Sequence, residues 1–200
     1  MKRLAEEYYK NLLTLLGTVK AADKNRIAID FYEGIEKACK MVLSCNASGN
    51  KLMFVGNGAS AAISSHMSTD FWKTGGIRAV AFNDSSLLTC IGNDYGYEHV
   101  FEKPVEMFAD KGDTLIAVSS SGRSENILRA VRAALSKGCY AITLSGFEPD
   151  NPLSFLGDIN FYVPVSAYGP VEVTHHSICH CILDTIVHIQ DSGIREKSDS

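Results

Sequence analysis

Two side chains that could carry acid–base or metal chemistry, His66 and Asp70, lie four residues apart. On a helix, that spacing places both side chains on one face. An imidazole and a carboxylate placed in this way can share one metal ion, or can divide acid and base roles between them. The same pair is also a common surface contact, so His66 and Asp70 alone do not establish a site.

A second group of reactive side chains lies near the end of the chain, where Glu172, His175, His176 and His180 occur together. On a helix, Glu172, His176 and His180 form one stripe, since each is four residues from the next. Three of the six histidines and a carboxylate on one helix indicate a metal or catalytic site. The alternative is a polar lining between subunits.

Hydroxyl groups are concentrated in a turn that follows an apolar run at residues 114–118. A helix starts after this turn, so its free backbone N–H groups and positive dipole end would face a bound anion. No lysine follows Gly122, which excludes the nucleotide-binding P-loop. The pattern predicts a phosphate pocket, with a Ser-capped turn as the simpler alternative. Its serines are Ser119, Ser120, Ser121 and Ser124.

A similar turn, GNGAS, comprises residues 56–60 and also follows a short apolar run. Gly56 and Gly58 allow backbone angles that other residues avoid, and Asn57 can donate from its side-chain amide. Two polar turns at the carboxyl ends of parallel strands mark the edge at which an open α/β sheet binds ligands. A third polar turn contains Asp94, which in isolation is interpreted as a turn residue.

Short apolar runs alternate with helical segments through most of the chain, which predicts one parallel sheet covered by helices on both faces. The predicted strands comprise residues 51–55, 77–82, 114–118, 139–144 and 159–163. Helices are predicted at 3–20, 27–46, 60–72, 124–136 and 170–190. The first two helices either cover the sheet or contact another subunit, and we favour the subunit contact.

Composition and charge narrow the class of protein. With 46% apolar and 21% charged residues, the 200-residue chain is typical of one globular domain. The net charge of −4 gives no indication of a nucleic-acid surface. The sequence begins without a signal-peptide pattern, and no apolar run has the length of a membrane span. Six cysteines without a CxxC pair indicate reduced thiols in a cytosolic protein.

Four motifs together resemble the sugar isomerase (SIS) family, and within it the phosphoheptose isomerases: GNGAS with SHMSTDF, then GNDYGYEHVF, SSSGRSEN and VEVTHHSICH. The resemblance implies a single SIS domain over residues 1–200, with a three-layer α/β fold and a five-stranded, flavodoxin-like parallel sheet. It also implies a homotetramer with sites between subunits. Residues 1–48 would then form interface helices, residues 49–192 the α/β core, and residues 193–200 a loose tail.

The same resemblance implies conversion of sedoheptulose 7-phosphate into D-glycero-D-manno-heptose 7-phosphate through an enediol, for lipopolysaccharide or capsule precursors. It implies one zinc ion per site. The four serines would hold the phosphate, and the sugar would contact Asn57, Gly58, Ser60, Asp94 and Glu172. The catalytic residues would be Asp70, Glu172 and His180. Among the metal ligands, His66 and His180 would match the family's two histidines, and the candidate set in this sequence also contains Asp70, Glu172 and His176.

Two departures from the family pattern matter, at Asp70 and at Glu172 with the preceding Gly169. The family's catalytic glutamate is here Asp70, whose side chain is one methylene shorter. The length of the side chain matters because a base must come within about 3 Å of the proton that it removes. The family's glutamine on the last helix is here Glu172, which adds a negative charge, and Gly169 replaces a preceding aspartate. His176 lies on the stripe of Glu172 and His180, where it could replace one of them as a ligand.

Two other functions stay open. A non-catalytic SIS module would bind a sugar phosphate or a regulatory partner, as does a relative that binds the replication initiator DnaA. An isomerase of another sugar phosphate would keep the chemistry and change the substrate. Histidines at both key positions, and the replacement of one acid by another, favour an enzyme.

Overall fold

A single sheet of seven strands forms the centre of the protein. The computed structural model describes the backbone of residues 1–198 and the side chains of residues 1–192. In chain order, the strands are β1 (Lys20–Asp23), β2 (Ala28–Ile29), β3 (Leu52–Gly56), β4 (Ala79–Ala81), β5 (Thr114–Ser119), β6 (Tyr140–Gly146) and β7 (Ile159–Val163). Across the sheet they lie in the order β2-β1-β7-β6-β5-β3-β4.

The last five strands are parallel, which confirms the predicted parallel sheet. Numbered among themselves in chain order they lie 2-1-3-4-5, which is the flavodoxin-like arrangement. The chain passes from β3 outward to β4, and then returns to the opposite side of β3 to form β5. This reversal leaves a crevice at the carboxyl ends of β3 and β5, where sheets of this kind bind ligands.

Helices cover both faces of the sheet and complete the three layers. In the described residues they are α1 (Lys2–Leu16), α2 (Phe31–Ala47), α3 (Ala59–Lys73), α4 (Ser85–Asp94), α5 (Glu102–Phe108), α6 (Glu125–Ser136) and α7 (Tyr168–Ser198). α2, α3 and α7 share one apolar core with the sheet, around Phe54 and Phe71. α4, α5 and α6 pack on the opposite face, around Val105 and Ile127.

The first part of the chain differs from the two helices predicted at 3–20 and 27–46. Between α1 and α2, strands β1 and β2 form a short antiparallel hairpin that extends the sheet beyond β7. The Asp23 carboxylate shapes the turn by accepting hydrogen bonds from backbone N–H groups two and four residues further on. Val19 and Ala21 are both buried, so strand-like alternation, and not helical spacing, buries this segment. The sheet therefore has seven strands in place of the predicted five.

The last helix is longer than the sequence predicts. Its backbone continues past Gly193, where a loose tail is predicted, as far as Ser198, and residues 199 and 200 lie outside the described part. Over the residues described, none of the helices combines the length and apolarity that crossing a membrane requires.

Candidate active site

A cleft of about 260 Å³ opens at the carboxyl ends of β3 and β5. It contains all but one of the residues assigned to substrate binding from the sequence, and it adds Ala59 and Tyr168, which sequence reasoning missed. The lining residues are Asn57, Gly58, Ala59, Ser60, Ser119, Ser120, Ser121, Ser124, Tyr168 and Glu172.

Asp94 is the residue that the structure does not bring to the cleft. It is the last residue of α4, and its carboxylate accepts a hydrogen bond of 2.8 Å from the side chain of Asn93. Within this chain, the turn that follows α4 instead sends Tyr97 toward the cleft, where its hydroxyl donates to Asn57 at 3.1 Å.

Two helix N-termini point into the cleft without a capping side chain. α3 begins after Gly58 and α6 begins after Ser124, and neither N-cap residue hydrogen-bonds the first turn through its side chain. The first N–H groups of both helices therefore keep donors for a bound anion, and the helix dipoles add positive potential. Because the Ser124 hydroxyl makes no cap, it too is free to donate to a ligand.

Close packing fixes the shape of both turns. A Cβ at Gly56 would lie 2.5 Å from the carbonyl oxygen of Ser60, so only glycine lets β3 run directly into α3. Gly122 has a φ of +61°, and a Cβ there would lie 1.9 Å from the side-chain oxygen of buried Asn151. The backbone N–H of Leu153 donates to the carbonyl oxygen of Gly122 at 3.1 Å, which ties the serine turn to the loop that contains Asn151.

Asn57 is held by a pair of reciprocal amide hydrogen bonds. Its side chain donates to and accepts from the side chain of Asn126, at 2.9 Å in each direction. Asn126 is 3% exposed, and it lies on α6, 69 residues further along the chain. Together with Tyr97, this residue positions the Asn57 amide at the cleft. The sequence placed Asn126 directly after the serine turn, but no local pattern indicated its partner.

Three histidines converge beside the cleft. Ring nitrogens of His66 on α3 and of His176 and His180 on α7 lie within 4.8 Å of one another. Asp70 reaches only the edge of this histidine cluster, with an oxygen 3.1 Å from the Nε2 atom of His66. The Nε2 atom of His176 is buried and has no hydrogen-bond partner among the described residues. Imidazole nitrogens arranged in this way could hold a metal ion.

Burial also affects how the His176 ring titrates. It lowers the pKa of His176, and the nearby His180 and His66 rings lower it further, against a smaller opposing effect of Asp70. A neutral imidazole is the form that binds a metal. The environment of His176 therefore favours the ligand form over the cation.

His175 has a different environment from its neighbour. Its side chain is fully buried, and its Nε2 atom lies 3.1 Å from the backbone carbonyl oxygen of Ser145, to which it donates. Burial lowers the pKa of His175 to about 4. The ring fastens α7 to β6 and does not reach the histidine cluster. Of the three histidines on α7 in this region, His176 and His180 are thus the two that face the site.

Glu172 links the histidine cluster to the cleft. It is half-buried, lines the cleft with Tyr168, and lies one helical turn before His176 on the same face of α7. The stripe predicted from the spacing of Glu172, His176 and His180 thus runs from the cleft wall into the histidine cluster. A ligand in the cleft would have its anionic end on the serines and its other end toward this stripe.

A flavodoxin-like sheet, a serine-lined cleft at its switch point, and histidines with carboxylates on the flanking helices define an α/β protein with a site suited to an anionic ligand. Residues 7–146 match the SIS domain family. The chain belongs to this family.

Several relatives of this chain carry the name phosphoheptose isomerase. The chain is 39% identical over 166 residues to the phosphoheptose isomerase of Aliarcobacter butzleri (strain RM4018), a match that covers 78% of this chain and 87% of that protein. Its fold is similar to that of the phosphoheptose isomerase GmhA from Neisseria gonorrhoeae, with a TM-score of 0.81, 30% identity and coverage of 92% of this chain and 97% of that one. A phosphoheptose isomerase from Francisella tularensis also gives a TM-score of 0.81, at 26% identity, covering 93% and 97% of the two chains.

Proposed function

We propose that the protein is a phosphoheptose isomerase, which converts sedoheptulose 7-phosphate into D-glycero-D-manno-heptose 7-phosphate. The observation that carries this proposal is the continuity of the site: an uncapped, serine-lined cleft passes directly into a stripe of acid and imidazole side chains on α7. The names of its relatives agree with this assignment. The product would supply heptose for lipopolysaccharide or capsule.

In this scheme the serine-lined end of the cleft binds the phosphate of the sugar. Ser119, Ser120, Ser121 and Ser124 offer hydroxyl donors, and the starts of α3 and α6 offer backbone N–H groups. Binding energy gained at the phosphate, far from the reacting carbons, positions those carbons against the acid and imidazole stripe. Asn57 and Ser60 contact sugar hydroxyls from the wall of the cleft.

The reaction moves one proton between neighbouring carbons. A carboxylate, Asp70 or Glu172, takes a proton from C1 of the ketose while the C2 oxygen gains one, and the enediol forms. The proton is then returned to C2 while the C1 hydroxyl loses its proton, which leaves the aldose. His180 serves as the acid at the oxygen end.

A zinc ion fits the donor set beside the cleft. The residues that would hold it come from His66, Asp70, Glu172, His176 and His180, and the unpartnered buried nitrogen of His176 is the observation that favours an ion there. When bound, zinc would stabilise negative charge that develops on the substrate oxygens.

We further propose that the protein works as a homotetramer in the cytoplasm. α1 has no buried residue, although Leu4, Tyr9 and Leu13 on its surface are large and apolar. Half of the His66 side chain is also exposed, so a second subunit could close the site on that side. All six cysteines are described, and each is a free thiol, as expected in a reducing compartment.

The decisive experiment incubates the zinc-loaded protein with sedoheptulose 7-phosphate and follows the aldose product by NMR. We expect product to accumulate to an equilibrium mixture. A protein that binds this sugar phosphate in calorimetry but never forms the aldose would be a binding module. Turnover of a different ketose phosphate, with none of this one, would assign another substrate.

A further inference from the structure

The histidine cluster contains one more imidazole than the zinc set that the family resemblance implies. His176 lies on the same stripe as Glu172 and His180, and its ring centroid is 4.7 Å from that of His180 and 5.2 Å from that of His66. Two nitrogens on one tetrahedral zinc ion lie about 3.3 Å apart, since each Zn–N bond is about 2.0–2.1 Å. Ring nitrogens that all lie within 4.8 Å need only small side-chain rotations to reach that separation.

The buried Nε2 atom of His176 needs a partner. It has neither solvent contact nor a hydrogen bond within the described part of the chain. An unsatisfied buried polar atom destabilises the fold and is rare without a reason. The ring that carries this atom belongs to the histidine cluster, and an ion bound between the three rings is the partner that we infer for it.

The two carboxylates lie in different surroundings. Among the described residues, no Asp or Glu oxygen joins the three rings within the 4.8 Å limit. Asp70 contacts His66, at 3.1 Å, and so acts on the orientation and charge of that ring. Glu172 faces the cleft together with Asn57 and the serines.

We propose that three histidines, His66, His176 and His180, form the metal shell of this chain, and that Glu172 stays outside the shell and transfers the substrate proton. This rests on the proposed function, because Glu172 needs a C–H acid in the cleft. Glu172 takes the proton from the carbon next to the carbonyl and returns it to the neighbouring carbon, so the carboxylate is regenerated. Asp70, one methylene shorter than a glutamate, is the positioning residue of His66.

Zinc titrations test the proposed three-histidine metal shell, and they need no sugar phosphate. Metal is removed from the full chain with a chelator, and the chain is then titrated with zinc in the presence of a competing chromophoric chelator. The titration compares the wild type with His176→Ala, Glu172→Gln and His188→Ala. We expect His176→Ala to weaken zinc binding by more than about 100-fold, since loss of an outer-shell partner alone costs about 10–100-fold. Glu172→Gln should leave the affinity unchanged. His188→Ala is the matched control, an exposed histidine on the same helix outside the histidine cluster.

A spectroscopic reading accompanies the titration. The visible absorption of the cobalt-loaded protein should be the same in wild type and Glu172→Gln, and should lose its tetrahedral band in His176→Ala. Full zinc affinity in His176→Ala, or loss of zinc in Glu172→Gln, would overturn the three-histidine shell. His176→Gln, with circular dichroism for each variant, gives the same decision if the alanine variant does not fold.

Kinetic measurements test the second part of the proposal, the proton transfer by Glu172. Glu172→Gln should keep its affinity for sedoheptulose 7-phosphate and lose turnover by about 100-fold or more, the usual contribution of a general base. Exchange of the C1 proton with deuterated water should fall in parallel. Full turnover in Glu172→Gln would overturn the role of Glu172. Absence of turnover in the wild type would instead defeat the proposed function, while the zinc titrations would still decide the shell.

Discussion

Ser124 offers a clean test of the anion cleft at the scale of one residue. Removing an N-cap serine normally destabilises its helix, but the Ser124 hydroxyl makes no cap, so Ser124→Ala should leave the stability of α6 unchanged. A hydrogen bond to a charged group is worth about 1.5–3 kcal/mol, so the affinity for sedoheptulose 7-phosphate should fall by about 10–100-fold. Calorimetry measures this, with Ser136→Ala at the other end of α6 as control. Equal affinities of both variants would argue against phosphate at this turn.

Asn126 supports a second prediction at this scale. Asn126→Ala removes both amide hydrogen bonds that hold Asn57, so the Asn57 side chain should rotate away from the sugar. We expect kcat/KM to fall by about tenfold or more, at the level of one or two lost hydrogen bonds. Tyr97→Phe removes only one bond to the same amide and should have a smaller effect. A variant Asn126→Ala with unchanged kinetics would show that Asn57 needs no support.

Single residues differ in how much of their role could be predicted from the sequence. The spacing of Glu172, His176 and His180 predicted one stripe, and helix geometry placed them on one face of α7 as expected. The burial of His175 was not predictable, because it depends on β6 packing beneath α7. The Asn57–Asn126 pair joins positions 69 residues apart, so it needed the fold itself.

At the scale of the element, long apolar runs were more predictable than short edge strands. β3, β5 and β6 are buried along almost their whole length, so continuous apolar runs between polar turns identified them. β1 and β2 have only four and two residues, and they contain Lys20, Ala21 and Ala28, which have little strand preference. The strand geometry of β1 comes from pairing with β7, a contact distant in sequence, and β2 in turn pairs with β1.

Asp113 joins two of these elements and leads to a prediction about pH. Its buried carboxylate accepts hydrogen bonds from the backbone and side chain of Lys51, which ties the start of β5 to that of β3. Burial alone would raise the pKa of Asp113, but hydrogen bonds from Lys51, Asp110 and Asn50 outweigh it and lower the pKa. The ionised form therefore stabilises the fold above about pH 4, and this contribution is lost as the pH falls further.

Urea unfolding of the zinc-free protein between pH 7 and pH 3 measures this contribution. Asp113→Asn should lower the free energy of unfolding by roughly 2 kcal/mol at pH 7 and flatten its decline in acid. Asp110→Asn is the matched control, because Asp110 also contacts the Lys51 ammonium but is 80% exposed. Its effect should stay within about 0.5 kcal/mol. Identical pH profiles in the wild type and Asp113→Asn would contradict the assignment.

At the scale of the whole molecule, one chain leaves the site partly open. The cleft and the histidine cluster come from α3, α6 and α7 of a single chain, yet half of the His66 side chain is exposed. The parallel sheet followed from the alternation of elements and its flavodoxin-like strand order from the family resemblance, whereas nothing in that alternation specifies how copies assemble. The exposed apolar residues of α1 are the physical indication that another surface covers them.

This leads to a prediction about assembly. Tyr9 and Leu13 are four residues apart on α1 and are 66% and 72% exposed, so they form part of one apolar face. In a homotetramer this face would be buried, and a charge there would be costly to desolvate. Leu13→Glu should therefore shift the mass in light scattering from tetramer to dimer or monomer, and should reduce turnover with it. Asn11→Glu adds acidic charge at an exposed position about half a turn from both residues and should leave the mass unchanged. If both variants are tetramers, the interface lies elsewhere on the chain. A wild-type monomer with full activity would show that the open side of the site needs no second subunit.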